Sequence, residues 1–276
     1  MKFEIQLENY KYKFEEFLER YVQELRGSVD EKLLDSMKYS LFSKGKRIRP
    51  ILMLATYEMC GGKSKEIYKF AAALEMIHTY SLIHDDLPCM DNDTMRRGIS
   101  CNHIKFGEST ALLSGDALLT YAFEIASSCD CNELSAKNIL RSIEVLSSNS
   151  GCKGMINGQC LDLEKNIVDK GKLIEIYNLK TSCLISAASE IGAVLSGTSE
   201  EKINSCKKYG KYIGLCFQIV DDILDNETYN LSFFKNPSAV DFVKELTEKA
   251  KFELKIFKSD VTFLEDFADF LMCRVC

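Results

Sequence analysis

The chain has 276 residues, enough for one large domain or two small ones, and 46% of them are hydrophobic, ample for a buried core. The 35 Lys and Arg set against 41 Asp and Glu leave a net charge of -6, a balance that gives no general reason to bind nucleic acid or an anionic membrane. An anionic ligand would need a local cluster of positive charge.

The first residues, MKFEIQLENYKYKFEEFLERY, are too charged for a secretory signal and too acidic for a transit peptide. No stretch approaches the apolar length needed to span a bilayer, so a cytoplasmic protein is expected. Tyr10, Phe14, Leu18, Tyr21 and Leu25 fall at steps of three and four, which predicts an amphipathic helix. Ile139, Ile143 and Leu146 repeat that spacing. Residues 209–224 are apolar on most sides, as in a helix at the middle of a bundle. Period-two alternation is hard to find, which argues against a substantial sheet. There are three prolines (Pro50, Pro88 and Pro237), no internal repeat and no Pro-rich or Ser-rich linker. The expectation is one all-α domain over residues 1–276, with roughly ten helices or more. The polar residues 226–237 read as a surface loop. The 12 cysteines stand singly except for Cys129/Cys131 and Cys273/Cys276, with no pair of CxxC units at zinc spacing. They are expected to be reduced and mostly buried.

Two acidic clusters follow apolar helical runs. Asp85, Asp86, Asp91 and Asp93 occupy nine positions around Pro88. Asp221, Asp222 and Asp225 form the second cluster, and a four-residue step puts Asp221 and Asp225 on one helix face. A regular helix would turn Asp91 away from Asp85. Pro88 should end or deform the helix, and a distorted last turn would bring Asp91 back. Carboxylates gathered at a helix C-terminus repel one another unless a cation compensates them. All-oxygen donors suit magnesium, which takes one or two carboxylates and completes its shell with water and phosphate. One such cluster alone reads equally as a solvated helix end. Two are harder to dismiss, because charge beside Ile219, Val220, Ile223 and Leu224 is costly without a use.

Two basic runs complement them. Residues 44–50 (KGKRIRP) carry four positive charges in six residues, and Arg96 and Arg97 follow the first acidic cluster. Arginine grips phosphate in a forked geometry and lysine acts as a compact charge. Either run could equally be a solvated turn, and Arg96 and Arg97 could form plain salt bridges. His78, seven residues before Asp85, lies on nearly the same helix face and could also be a satisfied structural histidine.

Across residues 44–225, the pieces GKRIRP, EMIHTYSLIHDDLPCMDNDTMRRG, HIKFGE, LLSGDALL, GMINGQCLDLE, LKTSCLI and FQIVDDILD resemble, in order, the trans-isoprenyl diphosphate synthases. Bacterial farnesyl diphosphate synthases and plant-type geranylgeranyl enzymes are the most similar. The end, FLEDFADFLMCRVC, resembles the family's last helix. The resemblance implies a helical bundle around a deep central cavity, usually a homodimer, with three magnesium ions per active site. It implies that Lys46, Arg49, His78 and Arg97 hold isopentenyl diphosphate. Arg96, Lys180 and Gln218 would contact the allylic diphosphate, while Thr181 and Gln159 face the cavity. Asp85 and Asp91 would bind two magnesium ions with Asp86 in support, and Asp221 a third with Asp222 and Asp225 nearby. The implied reaction builds farnesyl diphosphate; a geranylgeranyl synthase is the alternative.

Tyr80 precedes Asp85 by about 7.5 Å of helix. A ring there could floor the cavity and mark a C15 product, or be a plain core aromatic. Residues 226–238 depart from the family: they lack its Gly-rich loop, and Lys235 is the nearest candidate for its lysine. A terpene cyclase is disfavoured because cyclases typically carry an Asn/Ser/Glu triad where this chain has Asp221, Asp222 and Asp225, and because GKRIRP and His78 imply a second diphosphate. A non-catalytic regulatory subunit is disfavoured because both acidic motifs are kept.

Overall fold

Apolar spacing becomes helix along nearly the whole chain. The computed structural model describes residues 2–164, 166–235 and 238–273. In order, its helices are α1 (Lys2–Gln23), α2 (Glu31–Leu41), α3 (Ile48–Met59), α4 (Ile67–Asp85), α5 (Asn102–Phe106), α6 (Glu108–Ser127), α7 (Ala136–Ser150), α8 (Met155–Leu163) and α9 (Lys170–Tyr177). A π-helical turn, Asn178–Ser182, leads into α10 (Cys183–Ser196), followed by α11 (Glu200–Leu224), α12 (Thr228–Leu231), α13 (Ala239–Leu254) and α14 (Thr262–Met272). The all-α expectation holds.

The α1 stripe buries Phe14, Leu18 and Val22, with Tyr10 and Tyr21 packed at its edge; Leu25 lies beyond the helix. Each fully buried side chain of this size stabilises the fold by about 1.5–3 kcal/mol. Helix α11 sits between α10 and α13 and contributes to two apolar clusters. The larger joins α1, α3, α4, α6, α7 and α10. The smaller gathers Leu173 and Tyr177 with Ile219, Val220, Phe234, Val243 and Leu246.

Contact between α10 and α11 depends on small residues. A Cβ added at Gly214 would fall 2.5 Å from Cα of Ser182, and one at Gly210 would fall 2.8 Å from Cα of Ser186. The hydroxyls of Ser182 and Ser186 donate across this seam to the carbonyls of Lys211 and Lys207, at 2.7 and 2.8 Å. This close approach presses the π-helical turn against the second acidic helix. Single π-turns inside helices recur at functional sites.

Two expectations are corrected. Residues 226–237 are not simply a surface loop: α12 forms there and Phe234 is buried against α9 and α13 residues, because an aromatic in a polar stretch still gains by burial. Asn236 and Pro237 lie outside the described residues. The expected lack of a substantial sheet holds: among the described residues there is only a short antiparallel hairpin pairing Met95–Arg96 with Ile99–Ser100. Its turn holds Arg97 and Gly98 at positive φ, as a two-residue hairpin requires. Finally, five described cysteines are exposed (Cys89, Cys131, Cys152, Cys160 and Cys273) against four that are buried. All described cysteines are free, and Cys276 lies outside the described residues. Among the described residues, no helix is long and apolar enough to cross a membrane.

Candidate active site

The first acidic cluster is built by the end of α4. The chain turns at Pro88 and folds back so that the Asp91 amide donates to the Asp85 carbonyl at 2.9 Å, while the Asn92 amide reaches the Leu87 carbonyl at 3.1 Å. This deformed turn brings Asp91 back toward Asp85, as the proline predicts. Burial pushes the Asp85 carboxyl up to about 6; Asp91 and Asp86 add repulsion, and Lys180 and Arg96 oppose it. Asp86 points inward at 3% exposure and accepts from Nε of Arg96 at 2.5 Å. Arg96 also donates to Asp93 at 3.3 Å. Burial would lower the Arg96 pKa, but Asp86, Asp93 and Asp85 outweigh it.

The second cluster divides by role. Asp221 is half-buried and Asp225 exposed at the last turn of α11, with the Asp225 amide donating to the Asp221 carbonyl at 2.9 Å. Asp222 is buried and accepts from the Tyr177 hydroxyl, from Nε2 of Gln218 at 2.8 Å and from Nδ2 of Asn230 at 3.1 Å. The Thr181 hydroxyl donates to Oε1 of Gln218 at 2.6 Å, so both ends of that amide are fixed. Lys180 pairs with Asp162 at 2.5 Å. Both amide atoms of Gln159 are buried without a partner. Lys235 is exposed and pairs through its backbone with Ser238.

The basic residues line a cavity of about 250 Å³ together with Glu75 and Phe217. Arg47 is structural: it donates to Glu75 at 2.7 Å, to Glu15 at 3.1 Å and to the Leu41 carbonyl at 2.8 Å. Arg49 is 9% exposed, and its Nε has no partner. Burial lowers its pKa to about 10, while Glu75 and Asp221 oppose the shift. Burial likewise lowers the Arg97 pKa, with repulsion from Arg47 and Arg96; Arg97 donates to the Ser43 hydroxyl at 3.2 Å. Lys46 stands 6.0 Å from the Phe217 ring centroid. Burial, then Arg49 and Arg97, push the His78 imidazole well below its ordinary value, so it is neutral at pH 7. Cations weakened by burial and by one another gain most from an incoming anion.

Tyr80 is 5% exposed, its hydroxyl has no partner, and its ring stands edge-on to His84 at 5.6 Å. Burial and Asp85 push that hydroxyl up to about 12. The electrostatic neighbours of Asp85 include Lys180, and those of Arg49 include Asp221. Phe217, one helical turn before Asp221, and Arg97, next to the Arg96 that Asp86 holds, both line the basic cavity, so both acidic clusters adjoin it. Sequence reasoning missed Tyr177, Asn230 and Asp162. The clue available was that a buried Asp222 must find donors.

The donor chemistry fits magnesium. The carboxylates offer only oxygen, and a cation would offset both the burial of Asp85 and its repulsion from Asp91 and Asp86. Among the described residues, no three His, Cys, Asp or Glu stand close enough to hold an ion alone. Phosphate oxygens and water would have to complete the shell.

The family model described as "Polyprenyl synthetase" matches residues 30–238. The chain is 44% identical over 200 residues to the heterodimeric geranylgeranyl pyrophosphate synthase large subunit 1, chloroplastic, of Arabidopsis thaliana, covering 70% of this chain and 54% of the relative. It thus spans about half the length of the first curated relatives it matches. It is 40% identical over 264 residues to the geranylgeranyl diphosphate synthase of Cyanophora paradoxa, covering 88% of this chain and 87% of that one. A solved geranyltransferase from Legionella pneumophila superposes with a TM-score of 0.91 at 34% identity over 99% of each chain. With the motifs in order along the chain and the fold matched end to end, this chain belongs to the polyprenyl synthetase family.

Proposed function

We propose that the protein is a prenyltransferase that joins isopentenyl diphosphate to an allylic diphosphate, dimethylallyl or geranyl, head to tail. The observation that carries this reading is the cavity where Lys46, Arg49, Arg97 and neutral His78 meet. It is a site for one diphosphate, set beside acidic clusters suited to a second. Arg96, Lys180 and Gln218 would hold the allylic diphosphate. Asp85 and Asp91, with Asp221 opposite, would hold magnesium, whose chemistry is to neutralise the charge growing on the leaving diphosphate. The allylic C–O bond ionises, and the isopentenyl double bond attacks the cation. The departing diphosphate takes the proton, so no protein base is required. Main-chain and side-chain oxygens of Lys180, Thr181 and Gln218 would stabilise the cation. Water would quench the cation and has to be kept out.

Buried Tyr80, one turn from Asp85, supports a floor for the growing chain and hence a C15 product. A second reading, C20, is favoured by the names of the curated relatives. A homodimer in the cytoplasm fits the family resemblance, although two relatives are named as large subunits of a heterodimer. Chain-length analysis of products made from isopentenyl diphosphate with each allylic primer tests the reading. C15 supports it fully, C20 keeps the chemistry and removes Tyr80 as floor, and no product with both substrates bound favours a non-catalytic subunit.

A further inference from the structure

Two cysteines far apart in sequence meet away from the acidic clusters. Sγ of Cys60 lies 4.0 Å from Sγ of Cys206, across 146 residues of chain. Cys60 caps the C-terminal end of α3 and is half-buried; Cys206 is inside α11 at 1% exposure. Eleven residues of helix separate Cys60 from Arg49, about 16 Å along the axis.

The surroundings make the two sulfurs unequal. The two thiols are within hydrogen-bonding reach of each other, and either can donate; Cys206, Ser196 and the positive charge of Lys202 favour a thiolate at Cys60. These partners lower the Cys60 pKa despite burial, while Cys206 is pushed up by Cys60 and by burial. The half-buried sulfur at the helix end is the one a small oxidant can reach, and its neighbour is a buried thiol in contact at 4.0 Å. That is the arrangement of an attacking and a resolving cysteine.

We propose that Cys60 and Cys206 are a modification site that closes to a reversible disulfide when the protein meets a peroxide. The Cys60 thiolate attacks one peroxide oxygen. An S–O bond forms, the O–O bond breaks, and hydroxide leaves and takes up a proton as water. The Cys206 sulfur then attacks the sulfenic sulfur, the S–S bond forms, and the hydroxyl departs with the Cys206 proton as a second water. Two thiols lose two electrons and hydrogen peroxide gains them. Closure needs the sulfurs to approach from 4.0 Å to about 2 Å. Rotation of the Cys60 side chain at a helix end supplies much of that movement. The bond ties α3 to α11, whose other ends carry Arg49 and Asp221. A dithiol reverses it.

The test treats the full chain with stoichiometric hydrogen peroxide, blocks remaining thiols with N-ethylmaleimide and maps peptides by mass spectrometry. A linked Cys60–Cys206 peptide lost after dithiothreitol is expected, with a melting temperature raised on the order of 5 °C or more by closure of so long a loop. Cys206→Ser should abolish the linked peptide and leave Cys60 trapped by dimedone. Recovery of both cysteines as maleimide adducts while Cys89, Cys131 or Cys152 oxidise would overturn the proposal. So would a linked peptide that forms only in denaturant.

Discussion

Nδ2 of Asn230 donates to Oδ2 of Asp222 at 3.1 Å, and this bond ties the divergent segment after α11 to the second acidic cluster. The Glu227 amide reinforces it, donating to the Asp222 carbonyl at 3.0 Å. The Tyr229 hydroxyl reaches the Ile167 carbonyl at 2.9 Å. A segment without the family's glycines is thus folded down onto Asp222, which in turn orients Gln218.

Asn230→Ala removes one of three donors to a buried carboxylate. A stability loss of about 1–2 kcal/mol is expected, since leaving a buried acceptor short of partners costs that much. Tyr177→Phe should cost as much again. Both should lower kcat, through a loosened Gln218, more than they raise KM for isopentenyl diphosphate. Denaturant melts and steady-state kinetics check the pair; unchanged kcat in both would show that Asp222 is structural only.

Tyr80→Ala should lengthen the product from C15 toward C20 or beyond, and should destabilise the fold by about 3–5 kcal/mol through the cavity it leaves. Chromatography of the dephosphorylated products reads the length. An unchanged product would make Tyr80 a core aromatic and nothing more.

Arg49→Met should raise KM for isopentenyl diphosphate at least about 10-fold, the equivalent of one charge-assisted hydrogen bond. KM for the allylic substrate should barely move. Because Arg49 is buried with an unpartnered Nε, an apolar replacement should leave stability unchanged or higher. Equal rises in both KM values would contradict the division into two diphosphate sites.

The buried imidazole of His78, faced by Arg49, Arg97, Arg47 and Arg96, has a pKa below its value in the unfolded chain. As pH falls through about 6.5 the unfolded state binds a proton that the folded state refuses, so stability is lost toward acid. His78→Gln should flatten this part of the stability profile between pH 7 and pH 5. Urea midpoints of both proteins across that window give the answer, and parallel profiles would place His78 outside the charged cavity.

Much of the site is legible in the sequence because its parts are local. Pro88 dictates that α4 stops, and the chain does return Asp91 to Asp85. The basic run before α3 and the Arg97 turn converge in one cavity as the family motifs imply. The family motifs single out Arg49 for the diphosphate, but charge and spacing alone do not show that Arg47 serves structure, since that depends on Glu15 and Glu75 from other helices. Tyr177 and Asn230 are invisible for the same reason: their target, Asp222, is reached across 45 residues in one case and from a short helix hidden in a polar stretch in the other. Phe234 shows how one buried aromatic can dock a segment whose composition reads as loop.

The most direct test of the central claim is incorporation of radiolabelled isopentenyl diphosphate into acid-labile prenyl diphosphate. It would be run with magnesium and geranyl diphosphate, for the natural chain and for Asp221→Asn beside it. Label in C15 product from the natural chain, falling at least about 100-fold in the variant as for loss of a charge-stabilising group, is the predicted result. No incorporation by a folded natural chain that binds both diphosphates would contradict the assignment of two-substrate condensation to this site.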